Sequence, residues 1–513
     1  MATTEMMLDM NRVEGDLRLR LQLDEGQVTD AWTVGTMYRG FEQLLIGRAP
    51  MDALVITPRV CGICGTAHLY AAVTAIERAL QCAVAPNGTR IRNLCLMAEE
   101  VQSDTRHAFL MFTIDLCNEK YASRPGYEEI MAAFEPFKGR VYTETVVATK
   151  KILEVVAIYG GQWPHSSHMV PGGVVSTPSR RSIVKSLAIV DAYIRWYEQV
   201  VLGCSLDRWA EVQSLDDLQA WLDESAAHRD GAMGLFVRFT RALDLQALGR
   251  GAGNMLSYGS YFDPEAWQPP YGEQKTLRAA GFYDAQAGQV KPLSQLEIAE
   301  HVRYSWFQEH GDAAGVHPWK GETIPAYDAE SEKYTWAKAP RYADQVVEVG
   351  AFPELFMACD PLTRSLYAAE GTNVWSRQFL RLHRPTHTLR QMRTTLLELE
   401  REFSQPYIEH PKDAAEGEGF GLVEAARGAL GHWIQFSGGK ITRYQIITPT
   451  AWNASPRDAS SRRGHWEQTL LGTRVEDQSN PVELGHIIRS HDACLVCTVH
   501  FLDTGRTLNF GVG

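Results

Sequence analysis

Apolar and polar residues alternate from Leu17 to Leu23, with Leu17, Leu19, Leu21 and Leu23 on one face, the period of a half-buried strand. Asp24-Glu25-Gly26-Gln27 supplies a turn, and a second strand is predicted over about Val28 to Val34. From about Tyr38 the spacing becomes helical, with Phe41, Leu44 and Leu45 on one face, until Pro58 breaks it. The stretch Ala67 to Leu80 holds strong helix formers and no breaker, and 88–118, 145–159 and 181–203 read as long helices with an apolar face. Residues 205–350 carry clusters such as PEAWQPPYGEQ, rich in Pro, Gly and Tyr, with little periodicity. They predict an irregular, loop-rich insertion with short strands rather than a separate domain. Helices resume near 362–402, and KITRYQIITPTAW reads as a strand ending at Pro449. No internal repeat or heptad array appears. The pattern as a whole predicts a helix-rich chain with small β elements.

Composition sharpens this by exclusion. The chain has 513 residues, 45% apolar and 22% charged, enough for a large core and too long for a disulfide-stapled scaffold. Fifty Lys and Arg against 62 Asp and Glu give a net charge of −12, a poor match to nucleic acid or an anionic membrane. Mean hydropathy is −0.24, and no apolar run approaches the roughly 18 residues of a membrane span. The start MATTEMMLDMN has neither a basic nor an apolar leader region. A soluble, cytoplasmic chain is therefore expected, reaching a membrane only through partners.

The cysteines carry the chemistry. Cys82, Cys95, Cys117, Cys204 and Cys359 are isolated and expected in or near the core. The other four form two C-x-x-C pairs, Cys61/Cys64 and Cys494/Cys497, more than 400 residues apart. Cysteines at this spacing aim both sulfurs at one point. His68 follows Cys64 by four and His500 follows Cys497 by three, the spacings of helical neighbours. Zinc modules place their pairs some 10–20 residues apart, so that the metal organises a small fold. A tetrathiolate joining the two ends of a large helical chain points instead to a catalytic soft metal. Structural zinc and unrelated thiols remain alternatives on spacing alone. For His68 the residues favour a role as a donor to a thiolate, and for His500 they leave the role open. A lone Glu such as Glu14 is more commonly an exposed strand-end residue.

With both motifs in view, the chain resembles the large subunit of a nickel–iron hydrogenase over essentially its whole length. The resemblance rests on R-x-C-G-x-C-x-x-x-H at Arg59 to His68 and D-x-C-x-x-C-x-x-H at Asp492 to His500. It extends to Arg12-Val13-Glu14-Gly15, Tyr38-Arg39-Gly40-Phe41-Glu42, Glu424 to Leu430 and Thr448 to Asn453. GGQWPHSSHMVPGG, SPRDAS and CLVCTVH are similar to the group 2 uptake branch, which includes high-affinity enzymes. The resemblance implies an α-rich α+β fold, a long central helix bundle with small β elements in the N-terminal, middle and C-terminal regions. It further implies one domain over 1–500 and a tail over 501–513 that a maturation protease removes after nickel insertion.

The same resemblance implies a Ni–Fe centre whose iron carries two cyanides and one carbon monoxide. Cys61 and Cys494 would be terminal nickel thiolates, and Cys64 and Cys497 would bridge the metals. Glu14 would relay protons from a nickel thiolate, Arg427 would sit over the open site near a cyanide, and Thr450 would donate to the other cyanide. Asp492 and His68 would complete the polar shell, His68 toward a bridging sulfur. Glu42, the Ile446 carbonyl and His500 would hold a magnesium-type ion, or iron. The expected activity is heterolytic oxidation of H2 in the uptake direction. Since no further cluster motif remains, an iron–sulfur small subunit must carry the electrons, and higher oligomers of the heterodimer are expected. Departures occur at Ala426 and Ala493, where the family commonly has proline, and at Ser103, where it commonly has an acid with Asp104 now beside it. A hydrogen sensor with the same centre and a non-catalytic subunit of the complex I type are the alternatives. Retention of all four cysteines opposes the latter, and the tail opposes the former.

Overall fold

The computed structural model describes residues 4–495 except 267, 270, 272–274, 310–314 and 413, so Cys497, His500 and the tail lie outside the described residues. Three antiparallel strands open the chain, β1 (Thr4–Met10), β2 (Leu17–Asp24) and β3 (Gln27–Gly35), in the order β1-β2-β3. Strands β2 and β3 are the predicted hairpin, and the four alternating leucines are all buried. Glu25 and Gly26 turn it with positive φ, the conformation that matches the twist of the flanking strands. Strand β1 was not anticipated, because its side chains are mostly exposed and backbone pairing with β2 makes it a strand.

The helix expected from Tyr38 shrinks to Phe41–Leu45, and Leu44 is exposed rather than on the buried face. Helices α1 (Gly65–Leu80), α2 (Pro86–His107), α3 (Arg140–Ile152) and α4 (Arg180–Trp196) form where periodicity places them. The run 145–159 divides, with Glu154–Gly160 a separate helix. Helices α2 and α4 run on into π turns at Ala108–Phe112 and Tyr197–Leu202. Part of the predicted irregular insertion is helical instead, at Leu206–Trp209, Leu215–Glu224, Ala226–Asp230 and Ala232–Ala242. Ser205, Ser214 and Ser225 cap the first three by accepting an amide hydrogen bond three residues on. Such short helices give periodicity too few turns to register. From Met255 to Tyr342 the expectation holds, with strands of only three or four residues.

The long helix α5 (Val374–Arg401) follows, started by an Asn373–Ser376 capping box. A second sheet closes the chain, β4 (Gly417–Ala425), β5 (Gly428–Ser437) and β6 (Lys440–Ile447), before α6 (Val482–Ser490). Only β6 was legible. Strands β4 and β5 are buried on both faces toward their shared turn and show no alternation. Among the isolated cysteines, Cys359 is exposed, against the expectation of a core position. The result is an α-rich α+β fold, and no described helix is long and apolar enough to cross a membrane.

Helix α1 lies directly on β4, and two glycines permit the approach. A Cβ at Gly419 or Gly421 would stand 2.0 Å from the carbonyl oxygen of Ala75 or Ala71. Gly421→Ala is therefore expected to cost about 1–3 kcal/mol through overpacking, read as a lower thermal unfolding midpoint. An unchanged midpoint would show that helix and strand separate freely.

Candidate metal centre

The two ends of the chain converge on one buried point, where Sγ of Cys61 and Sγ of Cys494 lie 3.6 Å apart. Cys61, Cys64 and Cys494 are all buried. Cys64 immediately precedes α1, so the helix N-terminus and its partial positive charge face that thiol. Gly65 is required there, since a Cβ would meet the Pro58 carbonyl oxygen at 2.9 Å. Glu99 of α2 accepts from the Thr66 and Ala67 amides at 2.9 and 3.1 Å and so anchors the start of α1. On the opposite side the Glu14 amide donates to the Ala493 carbonyl at 3.1 Å, and the Leu495 amide to the Glu14 carbonyl at 2.6 Å. This parallel bridge sets Glu14 beside Cys494.

A polar shell surrounds the sulfurs. Ala426 and Arg427 form the tip between β4 and β5. Arg427 donates through Nε to the Asp492 carbonyl at 3.2 Å, and its Nη2 lies 3.1 Å from Asp492 Oδ1. Burial works against the Arg427 charge, but the Asp492 carboxylate and the thiols of Cys494, Cys61 and Cys64 outweigh it. Burial likewise works against the Asp492 charge, and Arg427 outweighs it, holding that carboxyl below its ordinary value. Asp492 has a left-handed backbone, φ 56°, a strained state that the two contacts from Arg427 hold in place. Thr448 caps the short helix Pro449–Asn453, and the hydroxyl of Thr450 accepts from the Cys494 amide at 3.2 Å. Glu14 is half-buried, its carboxyl pushed up by burial and then by the Cys61 thiol.

His68 is fully buried, and burial pulls its pKa down to about 4. Its Nδ1 lies 3.0 Å from His432 Nε2, and His432 Nδ1 lies 2.8 Å from the Tyr444 hydroxyl. When the Tyr444 hydroxyl donates, His432 donates to His68 in turn, and Nε2–H of His68 is left as a donor. Nε2 of His68, Nη1 of Arg427 and Oδ2 of Asp492 are buried without a hydrogen-bond partner among the described residues. Soft thiols ringed by unspent polar atoms fit a soft metal carrying polar ligands of its own. Cys497, the fourth expected ligand, lies outside the described residues.

The expected magnesium-type site differs in detail. Glu42 is buried, and its Oε1 accepts from the Ile446 amide at 2.9 Å, which sets Glu42 beside the residue whose carbonyl the resemblance implies as a ligand. The Lys338 ammonium stands among the same oxygens, 3.4 Å from Glu42, 2.9 Å from Glu300 and 2.9 Å from the Gln445 side chain. Two carboxylates face one ammonium, and Oε1 of Glu300 has no hydrogen-bond partner among the described residues. His500 lies outside the described residues. Lys338, Glu300, His432, Tyr444 and Glu99 were not found from sequence, because none stands in a motif and each reaches the site through pairing of distant elements.

Two other groups bring ligand atoms within 4.8 Å of one another, Asp360/His383/His387 and Glu348/His465/His491. In the first, Trp209 Nε1–H donates to His383 Nδ1 at 2.9 Å, which obliges His383 Nε2 to carry a proton and face the group as a donor. In the second, Arg377 pairs with both Glu348 oxygens at 2.6 and 3.0 Å, and His465 Nε2 lies 3.1 Å from His491 Nε2.

The family described as nickel-dependent hydrogenase matches residues 39–128 and 138–500. The periplasmic NiFeSe hydrogenase large subunit of Desulfomicrobium baculatum is 30% identical, over 97% of this chain and 95% of that one. The uptake hydrogenase large subunit of Rhodobacter capsulatus is 27% identical, over 96% and 94%. The solved structure of the reduced Ni-Fe-Se hydrogenase from D. vulgaris Hildenborough superposes with a TM-score of 0.81 at 28% identity. It covers 97% of this chain and 100% of that one. Where those names mention selenium, this chain has cysteine at all four motif positions.

Thr450→Val keeps the shape of the side chain and strands the Cys494 amide without an acceptor. A loss of about 1–3 kcal/mol is expected, measured by thermal unfolding, with Thr450→Ser close to wild type. Equal midpoints for the valine and serine variants would remove the hydroxyl from the account.

Proposed function

Because this chain belongs to the nickel-dependent hydrogenase family and is a hydrogenase large subunit with a Ni–Fe active site, we propose that it oxidises H2 in the uptake direction. Electrons then pass to an iron–sulfur small subunit. The observation that carries the site assignment is the 3.6 Å approach of Cys61 and Cys494 within the electrostatic reach of the Arg427 guanidinium.

In this reading Cys61, Cys64, Cys494 and Cys497 hold the metals. When bound, the Ni–Fe centre, its iron carrying cyanide and carbon monoxide, supplies the redox-active Lewis acid at which H2 is polarised and its electrons are taken up. The protein's own residues do the rest. Arg427 keeps its charge and offers the unpaired Nη1 to a cyanide, and Thr450 has its hydroxyl proton free because its oxygen accepts from Cys494. His68 presents Nε2–H toward thiolate sulfur. Asp492 orients Arg427 and keeps the pair neutral in a dry site. Glu14 takes the proton from the Cys494 side, since it is set there by backbone pairing and its raised pKa suits a group that both accepts and releases. Glu42, Ile446 and His500 with magnesium would tie the C-terminus to the core.

A large subunit implies a small-subunit partner. Leu44, Ile46, Met51 and Val55 are exposed apolar residues just ahead of the Cys61 loop, and we assign the docking face there. We keep the single domain over 1–500 and maturation by removal of 501–513, which the family match ending at residue 500 supports. We also keep the cytoplasmic placement, with any membrane reached through partners.

The test is elemental analysis and infrared spectroscopy of the protein purified with its small subunit. Nickel, iron and bands of carbon monoxide and cyanide are expected, together with H2 oxidation by an artificial acceptor. Cys61→Ser is expected to lose the nickel. Glu14→Gln is expected to keep the metals and lose about 10²-fold or more in turnover. Zinc without those bands would overturn the assignment, and a Glu14→Gln enzyme at the wild-type rate would remove Glu14 from the proton path.

A further inference from the structure

Strands β4 and β5 pair up to Ala425 and Gly428, which leaves Ala426 and Arg427 as a two-residue tip. Tips of this length favour positive φ at one or both residues, because only then does the turn follow the strand twist. Neither Ala426 nor Arg427 has positive φ. The tip's shape must therefore be imposed from outside, and Arg427 rides on it.

The outside support comes from one face of α5. Arg377, Arg381 and Arg384 stand at helical spacing on that face, and all are buried. Arg384 Nη2 donates to the Ala426 carbonyl at 2.5 Å, one residue before Arg427. Arg381 Nη1 donates to the Ser490 carbonyl at 2.8 Å, two residues before Asp492. Asp104 of α2 joins the two arginines. Its oxygens accept from Arg384 Nε and Nη2 at 2.8 and 2.6 Å, and its Oδ1 lies 3.7 Å from Arg381 Nε. Glu354 accepts from Arg384 Nη1 at 2.5 Å, so every nitrogen of that guanidinium is committed. Gly428, with φ 120°, presses on Val349 and Gly350, where a Cβ would come within 2.6 Å of the Gly350 nitrogen. Asn453 in turn grips Val349 by its amide and carbonyl at 3.1 and 2.9 Å.

We propose that Arg384 and Arg381, joined by Asp104, are positioning residues that brace the two halves of the Arg427–Asp492 pair from outside the site. Arg384 fixes the hairpin tip under Arg427, and Arg381 fixes the chain entering the strained Asp492. A lysine keeps the charge but not the planar fork that spans Asp104 and the Ala426 carbonyl together. The inference rests on the proposed role of Arg427 at the metal centre.

The test compares wild type, Arg384→Lys and Arg384→Lys/Ala426→Pro, each purified with the small subunit. Arg384→Lys is expected to keep its nickel, shift the cyanide bands and lose about tenfold or more in kcat, with KM for H2 little changed. Proline at 426 presets the negative φ of the first tip position, and so is expected to restore band position and most of the rate. Hydrogen–deuterium exchange of peptides covering Gly428 needs no metal. It is expected to quicken about tenfold in Arg384→Lys and to slow again in the double variant. Wild-type exchange and wild-type bands in Arg384→Lys would overturn the brace, as would a loss that proline leaves unrelieved. Were Arg384→Lys not to accumulate folded, Asp104→Asn read by the same exchange would decide, fast exchange upholding the brace and wild-type exchange overturning it. A wild-type protein lacking the infrared bands would instead defeat the metal-centre reading, while the exchange result still tells whether the tip depends on Arg384.

Discussion

Everything else in this structure serves one close contact, the meeting of Cys61 and Cys494 across 433 residues of chain at 3.6 Å. Closing so long a loop costs conformational entropy that two thiols alone do not repay. The cost is met by secondary structure that arrives at the same point for its own reasons. Helix α1 starts at Cys64 because Glu99 takes its first amides. Cys494 is brought in by the backbone bridge between it and Glu14 and by the Thr450 hydroxyl. The sulfurs are thus brought together by packing and backbone bonds.

A second consequence is the concentration of charge in the interior. Arg384 and Arg92 are fully buried, each against carboxylates at hydrogen-bond distance. Buried ion pairs contribute little net stability, since desolvation offsets their attraction, but removing one partner is costly. Their value here is geometric. A guanidinium fixed at every nitrogen is a rigid strut, and Arg384 stands between two helices and the hairpin that carries Arg427. The strain at Asp492 is tolerated for the same reason, because the contacts around it determine its conformation several times over.

Legibility from sequence followed solvent exposure. The β2–β3 hairpin and helices α3 and α4 were readable because one face is wet and the other dry, which writes a period into the chain, whereas α1, buried nearly all round, was read from its helix formers. Strands β4 and β5 left no period because water reaches neither face over most of their length. Strand β1 left none because it is held by backbone pairing. At 206–242 the serine caps were present in the sequence, but the helices they start are too short to show a repeat. Lys338 among the acids near Glu42, and the relay from His68 through His432 to Tyr444, join elements far apart in sequence with no local signature.

Motif spacing by itself pointed to soft-metal chemistry without separating it from zinc, because metal binding requires particular donor atoms and those atoms are named by residue type. The family resemblance carried by those motifs showed a hydrogenase large subunit with a Ni–Fe active site, and it named the thiols, the arginine and the glutamate proposed to serve it. What the tertiary structure alone decided is how those groups are held. Ala426 stands where the family commonly has proline, and α5 supplies an arginine to its carbonyl. Ser103 looked like a missing acid, and Asp104 beside it faces the arginines of α5. Donor identity is a property of single residues and can be read one at a time. Orientation is a property of side chains from separate elements fixing one another, and it exists only once they are packed together.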